Sequence, residues 1–198
     1  NLILKNKKEP VTSIIGGSKV STKINVLLNL IQNVNNLIIV GAMANNFLKF
    51  KGFNVGLSLL EKGTEKIIND IYAVAEKNNC NIIIPVDCIV SNNFNGSPKH
   101  KSINEITSED MVLDIGKKTV DLINKTIENS KTVFWNGPAG YFENKSFSSG
   151  TISIAKKIGE NTKSKSLISI VGGGDTLAAI KNTDYQKLFT HLSTAGGA

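Results

Sequence analysis

The stretch VTSIIGGSKVSTKINVLLNLI, residues 11–31, decides the fold. Val11–Ile15 is a short apolar run with two β-branched isoleucines and a valine, and it reads as a buried strand. Gly16 and Gly17 break it. Ile24, Leu27, Leu28 and Ile31 then recur at the spacing of one helical face. Strand, glycine turn and helix in that order make the first half of a βαβ unit.

The same alternation continues along the chain. Leu37–Val40 reads as a strand, followed by a helix from Met43 to Lys51. A third helix carries Ile67, Ile71, Val74 and Ala75. Asn81–Val90 is a long β-rich run interrupted by Pro85, and Asn92–Lys99 is rich in turn residues. Lys101–Ile106 reads as a return strand, so a small β excursion is expected near 86–106. Lys117–Asn129 is helical, Thr132–Asn136 a strand, Thr151–Thr162 a helix and Leu167–Val171 a strand. A short helix starts at Thr176. Strands alternating with helices predict an α/β fold: three layers, α/β/α, around a mostly parallel, doubly wound, Rossmann-like sheet. At 198 residues the expectation is one domain over 1–198.

Composition excludes several classes. Hydrophobic residues make up 40% of the chain, a globular value. The longest apolar run, Leu37–Ala44, falls far short of the roughly 20 residues a membrane span needs. The lysine-rich start has no apolar core, so no signal peptide is read. The missing initiator Met and the end at Ala198 read as cuts in a longer protein. The net charge is +7, yet every basic residue is Lys and the lysines are scattered. Nucleic-acid recognition favours clustered bases and the bidentate fork of Arg, so no nucleic-acid partner is expected. Cys80 and Cys88 form no CxxC and read as buried thiols of a cytoplasmic protein. His100 and His191 read as structural.

Ligands of such sheets bind beyond the carboxyl ends of the strands. Five loops stand out there. Gly16–Lys23 is glycine-rich, rises to a helix start and places Lys19 and Lys23 on one helical face. Backbone amides, the helix dipole and two ammonium groups suit a polyphosphate. An ordinary turn with exposed lysines is the plain alternative, and the spacing is not that of a Walker A loop. Gly172-Gly173-Gly174-Asp175-Thr176 lets backbone approach a ligand closely. Asp175 is either an N-cap or a Mg²⁺ ligand on phosphate oxygens. Trp135–Glu143 offers Asn136 at a strand end and Glu143 for sugar hydroxyls. Gly41-Ala42-Met43-Ala44 leaves room for a flat ring, and Leu113-Asp114-Ile115-Gly116 precedes a helix. Two glycine-rich helix starts, one with lysines and one with Asp, fit a Mg-nucleotide. An NAD enzyme would need a complete GxGxxG, which is not in register.

Seven motifs now stand in order: GGSKVSTKI (16–24), VGAMANNFLK (40–49), PVD (85–87), LDIG (113–116), WNGPAGYFE (135–143), GGGDT (172–176) and HLSTAGGA (191–198). Together they resemble the C-terminal, nucleotide-binding half of phosphoglycerate kinases, over essentially the whole chain. The first is similar to the family's GGAKVSDKI and the second to its GGAMANTFLK. The resemblance implies reversible phosphoryl transfer between 1,3-bisphosphoglycerate and ADP with Mg²⁺, in a glycolytic, monomeric, cytoplasmic kinase. Lys19 then matches the lysine that follows the transferring phosphoryl group, and Lys23 the one that holds nucleotide phosphates. Gly173, Gly174, Asp175 and Thr176 match the phosphate and Mg²⁺ turn, with Asn136 near the phosphates and Glu143 on the ribose. Gly41, Ala42, Leu59, Met111 and Leu113 match the adenine slot. Residues 1–10 and 191–198 are hinge-proximal, with Ser193 and Thr194 at the hinge. Phosphoglycerate is held by an N-terminal domain that this chain lacks, so the 198 residues alone are expected to be inactive. A stand-alone nucleotide-binding module is the alternative. Departures are Val40 for a common Gly, Asn46 for a common Thr and Lys117 for a common Pro.

Overall fold

A computed structural model describes residues 7–165 and 167–193. The expected hinge residue Thr194 and the ends 1–6 and 194–198 lie outside that range. The described residues form two sheets. The larger is six-stranded and parallel, in the order β3-β2-β1-β7-β8-β9. Its strands are β1 Val11–Ile15, β2 Asn36–Ile39, β3 Asn81–Ile83, β7 Thr132–Asn136, β8 Ile168–Gly172 and β9 His191–Ser193. The order runs outward in both directions from β1 and β7, so the topological switch lies between them. The smaller sheet is antiparallel, in the order β5-β4-β6: β4 Asp87–Ser91, β5 Lys99–Ser102 and β6 Met111–Ile115.

Among the described residues six α-helices complete the fold: α1 Ile24–Ile31, α2 Met43–Phe50, α3 Glu65–Lys77, α4 Lys117–Glu128, α5 Ser149–Lys165 and α6 Gly174–Ile180. Both faces of the large sheet are covered, which is why β1 is buried at every residue, Thr12 and Ser13 included. One core packs Ile14, Val133, Trp135 and Val171 against Ile123, Ile154 and Ile158 of α4 and α5. The other packs Val11, Ile15 and Ile39 against Leu27, Phe47, Ile68 and Ile71 of α1, α2 and α3. Leu48, Val55, Cys88, Val90 and Ile106 form a third core under the small sheet.

Several expectations need adjustment. The run Asn81–Val90 is two strands in different sheets, divided at Pro85, which has no N–H for a ladder. The return strand is Lys99–Ser102, and a single 3₁₀ turn, Ile103–Glu105, follows it under a Ser102/Glu105 capping box. Leu113, Asp114 and Ile115 are strand rather than loop. The last short helix starts at Gly174, two residues before Thr176. Both cysteines are free and buried, and burial raises the Cys88 thiol to about 12. Among the described residues no helix is long and apolar enough to cross a membrane.

Candidate functional site

Four strand-end loops of the large sheet meet at the switch point. The N–H of Gly16 donates to the Asn136 carbonyl at 2.8 Å, and that of Met43 to the Gly17 carbonyl at 2.7 Å. Gly41 donates to the Ala139 carbonyl at 3.2 Å. The approach demands glycine: a Cβ on Gly16 would stand 2.4 Å from the Pro138 oxygen. Gly137, at φ +104°, would overlap Gly16 in the same way. The N–H of Gly137 donates to the buried Thr176 hydroxyl at 2.7 Å, which ties the third loop to α6. Lys23 Nζ donates to Asn136 Oδ1 at 3.4 Å, and that oxygen lies beside Gly173.

Lys23, Asn136, Gly173 and Thr176 therefore form one group, as their sequence positions led us to expect. Lys19 and Lys23 do not share a helical face. Residues 16–23 are irregular and α1 begins only at Ile24, because the positive φ of Gly17 and a turn closed by Lys23 N–H on the Val20 carbonyl delay it. Lys19 is exposed on that loop. Asp175 is not an N-cap. Gly173, at φ +92°, occupies the cap position. Asp175 is exposed in the first turn, and its carboxylate takes no hydrogen bond among the described residues.

Beside this group lies a cavity of about 240 Å³. Gly41, Ala42, Leu59, Met111 and Leu113, expected in the ring slot, all line it, as do Glu143, expected on the ribose, and Asp175, expected at the phosphates. Lys19, Lys23, Asn136, Gly173, Gly174 and Thr176 do not; they stand outside it. Glu143 is exposed at the margin. Val40 is fully buried in the core and leaves the cavity width alone.

Sequence reasoning left three contributors without a role. Phe94, in the turn-rich segment, stacks at a tilt on Tyr141 with ring centroids 4.9 Å apart, and Asn144 holds its carbonyl. Asn45 lines the wall with its side chain 1% exposed. Asp114 lies beneath, accepting from the N–H groups of Ile115 and Gly150 and from the Ser149 hydroxyl. The only signal for Phe94 and Tyr141 was aromatic residues in glycine-rich turns, where no core requires them.

The family model described as phosphoglycerate kinase matches residues 1–198. The chain belongs to the phosphoglycerate kinase family. The phosphoglycerate kinase of Wolbachia pipientis wMel is 44% identical over 194 residues, covering 97% of this chain and 49% of that protein. That of Zymomonas mobilis is 44% identical over 191 residues, 96% of this chain and 48% of the other. The structure of phosphoglycerate kinase from Coxiella burnetii superposes with a TM-score of 0.92 at 37% identity, over 98% of this chain and 50% of that one. The chain thus spans about half the length of the relatives it matches.

Proposed function

We propose that this chain is the C-terminal, ADP- and ATP-binding half of a cytoplasmic, monomeric phosphoglycerate kinase, and that a second half holds phosphoglycerate. The reading rests above all on one observation. Glycine-rich loops carrying Lys23, Asn136 and Thr176 converge at the switch point, next to a cavity lined by small and apolar residues. A base fits against Gly41, Ala42, Leu59, Met111 and Leu113, and Glu143 at the margin suits the ribose hydroxyls. The phosphates then extend toward Lys23, Asn136 and the amides of Gly173 and Gly174, with Thr176 holding that turn.

The reaction moves the phosphoryl group from the carboxyl oxygen of 1,3-bisphosphoglycerate to the terminal phosphate oxygen of ADP. The acyl-phosphate bond breaks, the new phosphoanhydride bond forms, and 3-phosphoglycerate leaves as a carboxylate. No proton need move. Catalysis is then positioning plus charge stabilisation. Lys19, exposed on its loop, follows the phosphoryl oxygens. Lys23 and the glycine amides supply charge and donors that make charge-assisted hydrogen bonds of about 1.5–3 kcal/mol each.

The residues fit Mg²⁺ in the manner of a nucleotide-borne ion. Asp175 is an exposed carboxylate with no partner among the described residues, beside the glycine turn of Gly173 and Gly174. Among the described residues no group of three or more His, Cys, Asp or Glu could build an all-protein cage. One carboxylate plus substrate phosphates is how Mg²⁺ is usually held. When bound, the ion would neutralise charge on the nucleotide phosphates.

A coupled assay with 3-phosphoglycerate and Mg-ATP is the test. The full-length protein should turn over at about 1–100 s⁻¹, as kinases do. The 198 residues alone should bind Mg-ADP by calorimetry but lack turnover. Positioning the second reactant accounts for about 7–11 kcal/mol of such barriers. Asp175→Asn should weaken Mg-dependent ADP binding with little change in melting temperature. Binding of NAD as tight as that of Mg-ADP would overturn the reading.

A further inference from the structure

The loop that bears Lys19 and Lys23 has no regular structure of its own, so something else must fix it. Its midpoint is Ser21, which is exposed. Both polar groups of Ser21 are taken by one side chain. Glu61 Oε2 accepts the Ser21 N–H at 3.0 Å, and Glu61 Oε1 accepts the Ser21 hydroxyl.

Glu61 is in turn gripped from behind. Asn46, on α2 and 4% exposed, donates through Nδ2 to the Glu61 carbonyl at 2.6 Å and to the Thr64 hydroxyl at 2.9 Å. Its Oδ1 accepts the Glu61 N–H at 3.2 Å. Asn45 adds a bond from Nδ2 to the Leu59 carbonyl at 3.2 Å. Two neighbouring asparagines on α2 therefore hang the 59–61 segment, whose Leu59 lines the cavity, and Glu61 passes that anchorage to the lysine loop. Asn46 stands at one of the sites where this sequence departs from the commoner threonine. Its planar amide presents a donor and an acceptor side by side, which matches a backbone C=O and N–H of one residue.

The electrostatics make the arrangement informative. A carboxylate beside a loop meant for phosphates repels the ligand, so charge alone argues against placing it there. The two Ser21 donors hold the Glu61 carboxyl below its usual range, so the group is ionised at neutral pH. A geometric benefit has to outweigh that repulsion.

We infer that Glu61, held through its backbone by Asn46, is a positioning residue that sets the Lys19–Lys23 loop for nucleotide phosphates. The inference rests on the proposed nucleotide site. It carries a sign that a purely electrostatic role would reverse.

Calorimetry of ADP and adenosine on the full-length protein tests it. Glu61→Ala should weaken ADP binding about tenfold, the worth of one charge-assisted hydrogen bond, and leave adenosine binding unchanged. Glu61→Gln should recover part of the loss, since its amide oxygen still accepts from Ser21. Ser21→Ala should lose less once Glu61 is already Ala than it does alone. Lys23→Ala serves as the reference. If Lys23→Ala weakens ADP and Glu61→Ala leaves it equal or tighter, the brace is wrong and the site stands. If Glu61→Ala weakens adenosine as much as ADP, Glu61 only holds the wall, and the inference fails. If neither variant changes ADP binding, the phosphate site itself is misplaced, and the inference falls with it.

Discussion

Asp114 carries a carboxyl group 1% exposed beneath the cavity. Burial disfavours its ionised form and raises it to about 6 from the ordinary 3.8, although the amides of Gly150 and Ile115 and the Ser149 hydroxyl pull the other way. A raised carboxyl contributes stability in full below pH 3.8 and loses it as pH climbs through about 6. The stability of the full-length protein relative to Asp114→Asn should therefore fall between pH 4 and 6. The slope is at most about 1.4 kcal/mol per pH unit. Urea unfolding of both proteins across that window checks it, and a flat difference would refute the assignment. Sequence marked Asp114 as a strand-end residue but could not show its burial. Polar character predicts exposure, and only the packing of α5 over β6 reverses that. Lys19 and Lys23 were legible as a cationic pair. Their geometry was not, because a run of Ser, Thr and Lys gives no clue to where a turn yields to a helix.

At the level of elements, α4 and α5 each begin on a buried aspartate contributed by the small sheet. Asp87 accepts the N–H groups of Lys118 and Thr119 at 2.9 and 2.7 Å, the Thr119 hydroxyl at 2.6 Å and His100 Nε2 at 2.6 Å. Burial opposes its charge, but these four donors together hold the carboxyl below its usual range. Gly116 is required beside it, since a Cβ there would stand 2.3 Å from the Asp87 carboxyl carbon. Asp87→Ala should cost about 3 kcal/mol, the sum of a lost cap and unsatisfied buried donors. Denaturant unfolding measures this, and a loss below about 1 kcal/mol would show that the helix is held by packing alone. The same contacts explain how Lys117 replaces a common proline at the helix start. Its ammonium points outward to Asp121 at 3.4 Å, while the cap falls on the next two residues. His100, read as structural from the sequence, bonds the buried Asp87 carboxylate. The βαβ succession was legible throughout, since β1 and β7 have the bounds their apolar runs imply. The interruption at Pro85 was legible too, but not that its two sides join different sheets, because periodicity cannot say which sheet a strand joins. β9 was hidden too: His191–Ser193 is short and exposed, without an apolar period.

For the molecule as a whole, the two sheets meet at the cavity. Among the described residues no strand ladder joins them, and the small sheet keeps its own core. Met111, Leu113 and Phe94 reach the cavity from the small-sheet side, and Gly41, Ala42 and Tyr141 from the large. Phe94 on Tyr141 bridges them, beside the Asp87 and Asp114 contacts to α4 and α5. With its own core, the small sheet should open locally while the parallel sheet stays shut, once the Asp87 and Asp114 contacts to α4 and α5 release. A nucleotide seated between them would act as mortar, since opening the small sheet would first require releasing it. Amide hydrogens of Asp87–Ile115 should then exchange more slowly with ADP present, by about the factor one plus ligand concentration over Kd. Those of the central strand β1 should stay at the global rate. Hydrogen-exchange mass spectrometry reads both regions in one experiment, and equal slowing in both would mean that the domain opens only as a single body.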